Sequence, residues 1–233
     1  MYIYLIFPIL ILIALSFLNK KISLYINSIS YLLFKSTAPG IYFYFLLFLP
    51  GIIIHELSHF LTALILLVKV GDIRLSPVKD DKKYILGQVS YAQTDPLRTA
   101  LIASAPLILG SLIIFIIVSI FLNVSSFTSF STLVLPPLNI FFIYLVICLT
   151  NTMFLSNQDK KGLLVIPFLI ILPLLILYFF NRLNFIQIIA LNLIPIAKTL
   201  SLSYLIGFIF NFLFFIFSYF IYLIISNIKK TLA

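Results

Sequence analysis

Six long apolar runs set the terms for any fold of this chain: residues 2–18, 40–68, 97–122, 132–154, 163–180 and 184–227. About 20 apolar residues carry an α-helix across the hydrocarbon core of a bilayer, so each run is a candidate crossing or close to one. The last is long enough for two passes, with a break expected near Pro195 to Lys198. Only 9% of the residues are charged and 63% are hydrophobic, against roughly 25% charged in an ordinary soluble domain. No water-soluble fold hides that much apolar side chain, so lipid has to be the solvent for most of it. The expected fold class is an all-α polytopic membrane protein. A bundle of six or seven transmembrane helices would form one integral membrane domain over 1–233. The first run lacks a basic leader and a small-residue cleavage site, so it reads as a retained membrane segment.

The charged residues sit between these runs. The net charge is +9, but the cations fall in short pairs such as Lys20-Lys21, Lys82-Lys83, Lys160-Lys161 and Lys229-Lys230. That is the pattern of loops that set membrane orientation, not of a nucleic-acid surface. Residues 19–40 read as a segment lying on the membrane face. The polar segment 69–96 differs in kind. Val70 to Val78 and Tyr84 to Tyr91 are rich in β-branched and aromatic residues around a charged turn, Lys79-Asp80-Asp81-Lys82, which predicts a small membrane-associated β-hairpin. A lone cysteine, Cys148, excludes an internal disulfide and a cysteine-based metal site.

The chain has two histidines and one glutamate, and all three fall in His55-Glu56-Leu57-Ser58-His59. Positions i and i+4 share a helical face, so both imidazoles can reach one ion, while the glutamate beside them can take a proton from a metal-bound water. The flanks, Gly51-Ile52-Ile53-Ile54 and Phe60-Leu61-Thr62-Ala63-Leu64, are apolar. Ionisable groups inside a membrane helix are costly and need a compensating partner, and a Zn2+ ion supplies one. The bland reading of the cluster is a polar helix-packing contact without metal.

Zinc needs a third protein ligand, and the remaining candidates are five aspartates. Asp72, Asp80, Asp81 and Asp95 lie in the polar segment, whereas Asp159 stands alone just after the run that ends near Phe154. If the runs alternate across the bilayer, the polar segment and Asp159 share one face. His59 is then about 15 Å of helix from Lys69. Eight basic residues gather on that face, which marks it as cytoplasmic, although Lys20, Lys21 and Lys35 would then fall outside.

These residues resemble the site-2 protease family of intramembrane zinc metalloproteases. That family carries such a motif within a membrane helix and takes its third ligand from a later Asn…Asp motif. Asn151 to Asp159 keeps the family's spacing of eight positions, and Ala105-Pro106 corresponds to a small-residue–proline step. Phe154 and Lys160 depart from the family's proline and glycine, and Asn192-Leu193-Ile194-Pro195 is set aside because no aspartate follows it. The resemblance covers about residues 45–165, within a metalloprotease-like core region of about 40–165. It implies that His55, His59 and Asp159 bind zinc, that Glu56 activates water, and that Asn151 helps hold substrate or the oxyanion. The implied partners are the lipid bilayer and a membrane-protein substrate. The implied place is the cell membrane, in several passes, with the site toward the cytoplasm. The rival from another class is a non-catalytic metal-binding scaffold descended from such a protease.

Overall fold

The computed structural model describes residues 3–80, 83–121, 137–153 and 183–231. Its helices are α1 (Ile3–Phe34), α2 (Ala38–Leu47), α3 (Leu49–Ile65), α4 (Pro96–Ile116, ending in a π-helical turn over Ile117–Phe121), α5 (Pro137–Thr152) and α6 (Leu183–Thr231). Among the described residues, three stretches are long and apolar enough to cross a membrane: Ile6–Phe34, Pro96–Phe121 and Asn192–Thr231. The bent pair α2–α3 makes a fourth if it counts as one span. Phe17, Ile65 and Phe217 are at least 60% exposed, and lipid is the solvent such faces require. The apolar run 163–180 lies outside the described residues.

Three expectations change. The first helix does not stop near residue 18 but runs on for 32 residues. Residues 19–34 therefore continue α1 instead of lying separately on the membrane face. Asn19 explains this: it is buried, and its Nδ2 donates to the carbonyls of Thr150 at 3.2 Å and Asn151 at 3.0 Å. Those carbonyls belong to the last described turn of α5. Asn19 thus ties the middle of α1 to α5.

The run 40–68 is not one straight helix, because α2 and α3 meet at 81° around Phe48. Pro50 has no N–H to extend the α2 ladder and instead occupies the first turn of α3, where none is needed. The carbonyl of Leu47, released at the bend, accepts from Tyr144 Oη at 2.8 Å.

The long final run does not break at Pro195. α6 continues through it for 49 residues. Hydroxyls of Thr199, Ser201 and Ser203 bond back to the carbonyls of Pro195, Ala197 and Thr199, one turn earlier on the same helix. α6 lies along α1, where Tyr25 meets Phe215, Tyr219 and Tyr222 with ring centroids 5.2–5.8 Å apart.

The expected hairpin is present in two sections. β1 (Val70–Arg74) pairs antiparallel with β4 (Gln88–Tyr91), and β2 (Val78–Asp80) pairs with β3 (Lys83–Ile85). Pro77 interrupts one arm between the sections and Leu86-Gly87 the other. Leu86 turns inward against a buried cluster that includes Phe45, Phe48 and Ile52.

The core between α1, α4, α5 and α6 is built from Leu15, Ile114, Val118, Val146, Leu149 and Tyr204. Tyr204 Oη is hydrogen-bonded to Ser111 Oγ at 2.5 Å, tying α6 to α4. Close approach of small residues does the rest, as is usual where lipid supplies no hydrophobic drive between helices. A Cβ on Gly51 would lie 2.5 Å from the carbonyl oxygen of Cys148, so α3 and α5 touch backbone to backbone there.

Candidate metal centre

One helical turn beyond that contact lies His55. His55 and Glu56 are buried and His59 is half-buried, all on α3. The i, i+4 spacing brings the imidazoles together with centroids 4.8 Å apart and planes at 82°. Their Nε2 atoms face each other at 3.2 Å. His59 Nδ1 lies 2.8 Å from the carbonyl oxygen of Ile102 on α4. A carbonyl only accepts, so Nδ1 carries the proton and Nε2 of neutral His59 presents a lone pair.

This arrangement fits a metal. Two nitrogens held ~2.05 Å from a tetrahedral zinc ion lie about 3.3 Å apart, against the 3.2 Å observed. The outward nitrogen bonded to a carbonyl is also the usual support of a metal-ligating histidine. Among the described residues no group of three His, Cys, Asp or Glu converges. Asp159 lies outside them.

The described aspartates are otherwise placed. Asp95 caps α4: Oδ1 accepts from the Arg98 backbone N–H at 3.0 Å and Oδ2 is 3.2 Å from Arg98 Nε. Asp72 stands on β1 and Asp80 on β2.

Glu56 is covered by the hairpin. A Cβ added to Gly87 would lie 2.8 Å from both Cγ and Oε1 of Glu56. The bare backbone between β3 and β4 therefore packs against the carboxylate arm, and a side chain at 87 would have to push the end of Glu56 aside. Beside His55 is a shallow depression too tight to enclose a water molecule, lined by Gly51, Ile54, Pro106, Leu149, Thr152 and Met153. The C-terminal end of α5 thus borders the histidine.

Asn151, on the same turn of α5, has its side chain committed elsewhere. It is 1% exposed; its Oδ1 accepts from Tyr44 Oη at 2.5 Å and its Nδ2 donates to Asn211 Oδ1. Asn211 in turn donates to the Gly207 carbonyl at 2.9 Å. The network joins α2, α5 and α6.

Three participants were not identified in the sequence: Gly87 over the carboxylate, the Ile102 carbonyl behind His59, and Tyr44 on Asn151. Each acts across more than 25 positions of sequence. Only Gly87, a glycine interrupting a β pattern, carried a local sign, since such glycines mark a close backbone approach.

Comparison with protein-family models, with curated proteins and with solved structures finds no match.

Proposed function

We propose that this chain is an intramembrane zinc metallopeptidase that hydrolyses peptide bonds in or near the transmembrane segments of other membrane proteins. The observation that carries this reading is the convergence of His55 Nε2 and His59 Nε2 at 3.2 Å beside a buried Glu56. A structural metal site has no use for the carboxylate, whereas hydrolysis needs a base at that position.

His55 and His59 would hold the ion, with Asp159 as third ligand. Asp159 follows Met153 by six residues, and Met153 borders the depression beside His55. Six residues span at most about 20 Å, ample for a return to the histidines. A zinc ion bound there lowers the pKa of its water toward ~7 and polarises the scissile carbonyl. Glu56 takes the proton from the attacking water and returns it to the leaving amine. Burial of Glu56 keeps its carboxylate away from bulk water. The hairpin offers strand edges to an extended substrate, which must unwind before its carbonyl can be reached. Asn151 reaches substrate only if its bonds to Tyr44 and Asn211 are given up. Three apolar spans support a membrane location. We place the protein in the cell membrane in several passes, with the site toward the cytoplasmic face.

The test is metal content in purified full-length protein. One zinc per chain is expected in wild type and in Glu56→Gln, with loss in His55→Ala, His59→Ala and Asp159→Ala. Cleavage of transmembrane substrates should vanish in Glu56→Gln alone among the metal-loaded forms. A folded wild type that takes up no metal overturns the reading.

A further inference from the structure

α4 runs from Pro96 to Ile116 without interruption and carries Pro106 inside it. In an α-helix each N–H bonds the carbonyl four residues earlier. Proline has no N–H to give. The carbonyl that Pro106 leaves unserved within its own helix is that of Ile102. Ile102 is fully buried at 0% exposure, so water does not make good the loss. The same oxygen receives the His59 Nδ1–H across the α3–α4 interface at 2.8 Å. The donor missing from one helix is thus provided by a side chain of its neighbour, and that side chain is one of the two facing histidines.

We propose that Pro106 is a positioning residue of the metal centre: it reserves the Ile102 carbonyl for His59 and thereby fixes which nitrogen of His59 carries the proton. With Nδ1 protonated, Nε2 is a bare lone pair pointing at His55 Nε2 3.2 Å away. With an alanine at 106, a backbone N–H would compete for the same oxygen. His59 would then share its acceptor, its ring would be freer to turn, and the Nε2–H tautomer would become accessible. That tautomer cannot bind a metal through Nε2. Ser104, the nearest hydroxyl on this turn, does not compete, because it bonds the Leu101 carbonyl at 3.0 Å. Proline also lines the depression beside His55, so a purely steric role is the rival explanation. The consequence for zinc rests on the function proposed above; the tautomer assignment does not.

The experiment separates the two. Full-length protein is prepared with Pro106, with Pro106→Ala, and with the α-hydroxy acid analogue of alanine at 106, which removes the N–H without restoring the ring. The chain has only two histidines, so 15N-histidine spectra of the metal-free protein report them without crowding. Wild type and the hydroxy-acid form should show one histidine in the Nδ1–H tautomer. Pro106→Ala should show that signal diminished or averaged with the Nε2–H form. Zinc affinity, measured by competition with a chelator of known strength, should fall 10- to 100-fold in Pro106→Ala and stay within about threefold of wild type in the hydroxy-acid form. A Pro106→Ala protein that keeps both the Nδ1–H signal and its zinc affinity overturns the proposal. So does a hydroxy-acid form that loses the Nδ1–H signal, since that would make the ring and not the missing donor responsible; this arm decides the matter even if Pro106→Ala does not fold. If wild type shows the expected tautomer but takes up no zinc, the positioning of His59 stands and the peptidase reading falls.

Discussion

Replacing Gly51 by alanine tests the contact on which the site is built. The new Cβ would meet the Cys148 carbonyl oxygen at 2.5 Å, Thr152 Oγ1 at 2.6 Å and the Cys148 carbonyl carbon at 2.7 Å. Ordinary contact begins near 3.4 Å, so α5 must retreat from α3 by about 0.9 Å. Two of the three obstructing atoms are backbone and cannot swing aside. Overpacking of this kind costs toward the upper end of the usual range, about 3 kcal/mol, while alanine returns about 1 kcal/mol of helix propensity. The net loss is about 2 kcal/mol, or a fall of about 4–8 °C in Tm for a chain of this size. Gly110→Ala is the control, because its Cβ meets only the flexible Met153 side chain, the terminal methyl at 3.1 Å and Cγ at an ordinary 3.6 Å; its Tm should hold or rise. The single thiol, Cys148, is fully buried, so a thiol-reactive dye reports unfolding without further engineering. Equal Tm values for Gly51→Ala and Gly110→Ala would refute backbone contact between α3 and α5.

Gly87→Ala should leave zinc content unchanged and lower the cleavage rate about 100-fold, because displacing the Glu56 carboxylate by roughly 1 Å spoils its alignment. A rate within threefold of wild type would mean that the hairpin yields instead. Asn151→Ala strands the Tyr44 hydroxyl and the Asn211 amide in a buried interface and should cost between about 1 and 3 kcal/mol in thermal stability, with metal retained; an unchanged Tm would return Asn151 to a purely substrate-facing role. Asp95 has its carboxyl held below the ordinary 3.8, first by the Arg98 backbone N–H and further by the Arg98 guanidinium and the Thr94 hydroxyl. A depressed pKa contributes stability that is complete above 3.8 and lost as pH falls through the lower folded value. Hydrogen exchange at the Arg98 and Thr99 amides should therefore accelerate, relative to intrinsic rates, only below that range, and Asp95→Asn should remove the dependence.

What the sequence made legible was local. The charged turn between two β-rich arms announced the hairpin, and the i, i+4 spacing of His55 and His59 on an apolar helix announced facing imidazoles. What it concealed depended on partners far along the chain. Lys20-Lys21 reads as the end of a span, but Asn19 bonds the carbonyls of Thr150 and Asn151 on α5 and the helix continues. Hydropathy does not register a change of direction, so the bend at Phe48 passes unseen although Pro50 stands beside it. Pro195 reads as a break because it removes a helical donor, yet α6 runs through it. Ala105-Pro106 was visible as a step in a helix, but only the packing of α3 on α4 brings the Ile102 carbonyl to a histidine.

The contact between Gly87 and Glu56 makes the hairpin something more than a cover. A side chain at this point would act as a cushion, absorbing small displacements by changing rotamer. Glycine leaves none, so backbone and carboxylate arm pack with nothing between them. Displacement of the strands around residues 85–88 is passed straight to the one glutamate in the chain. A charged ribbon at the polar face and a buried carboxylate in the helix are in this sense a single lever, and whatever grips one end sets the position of the other.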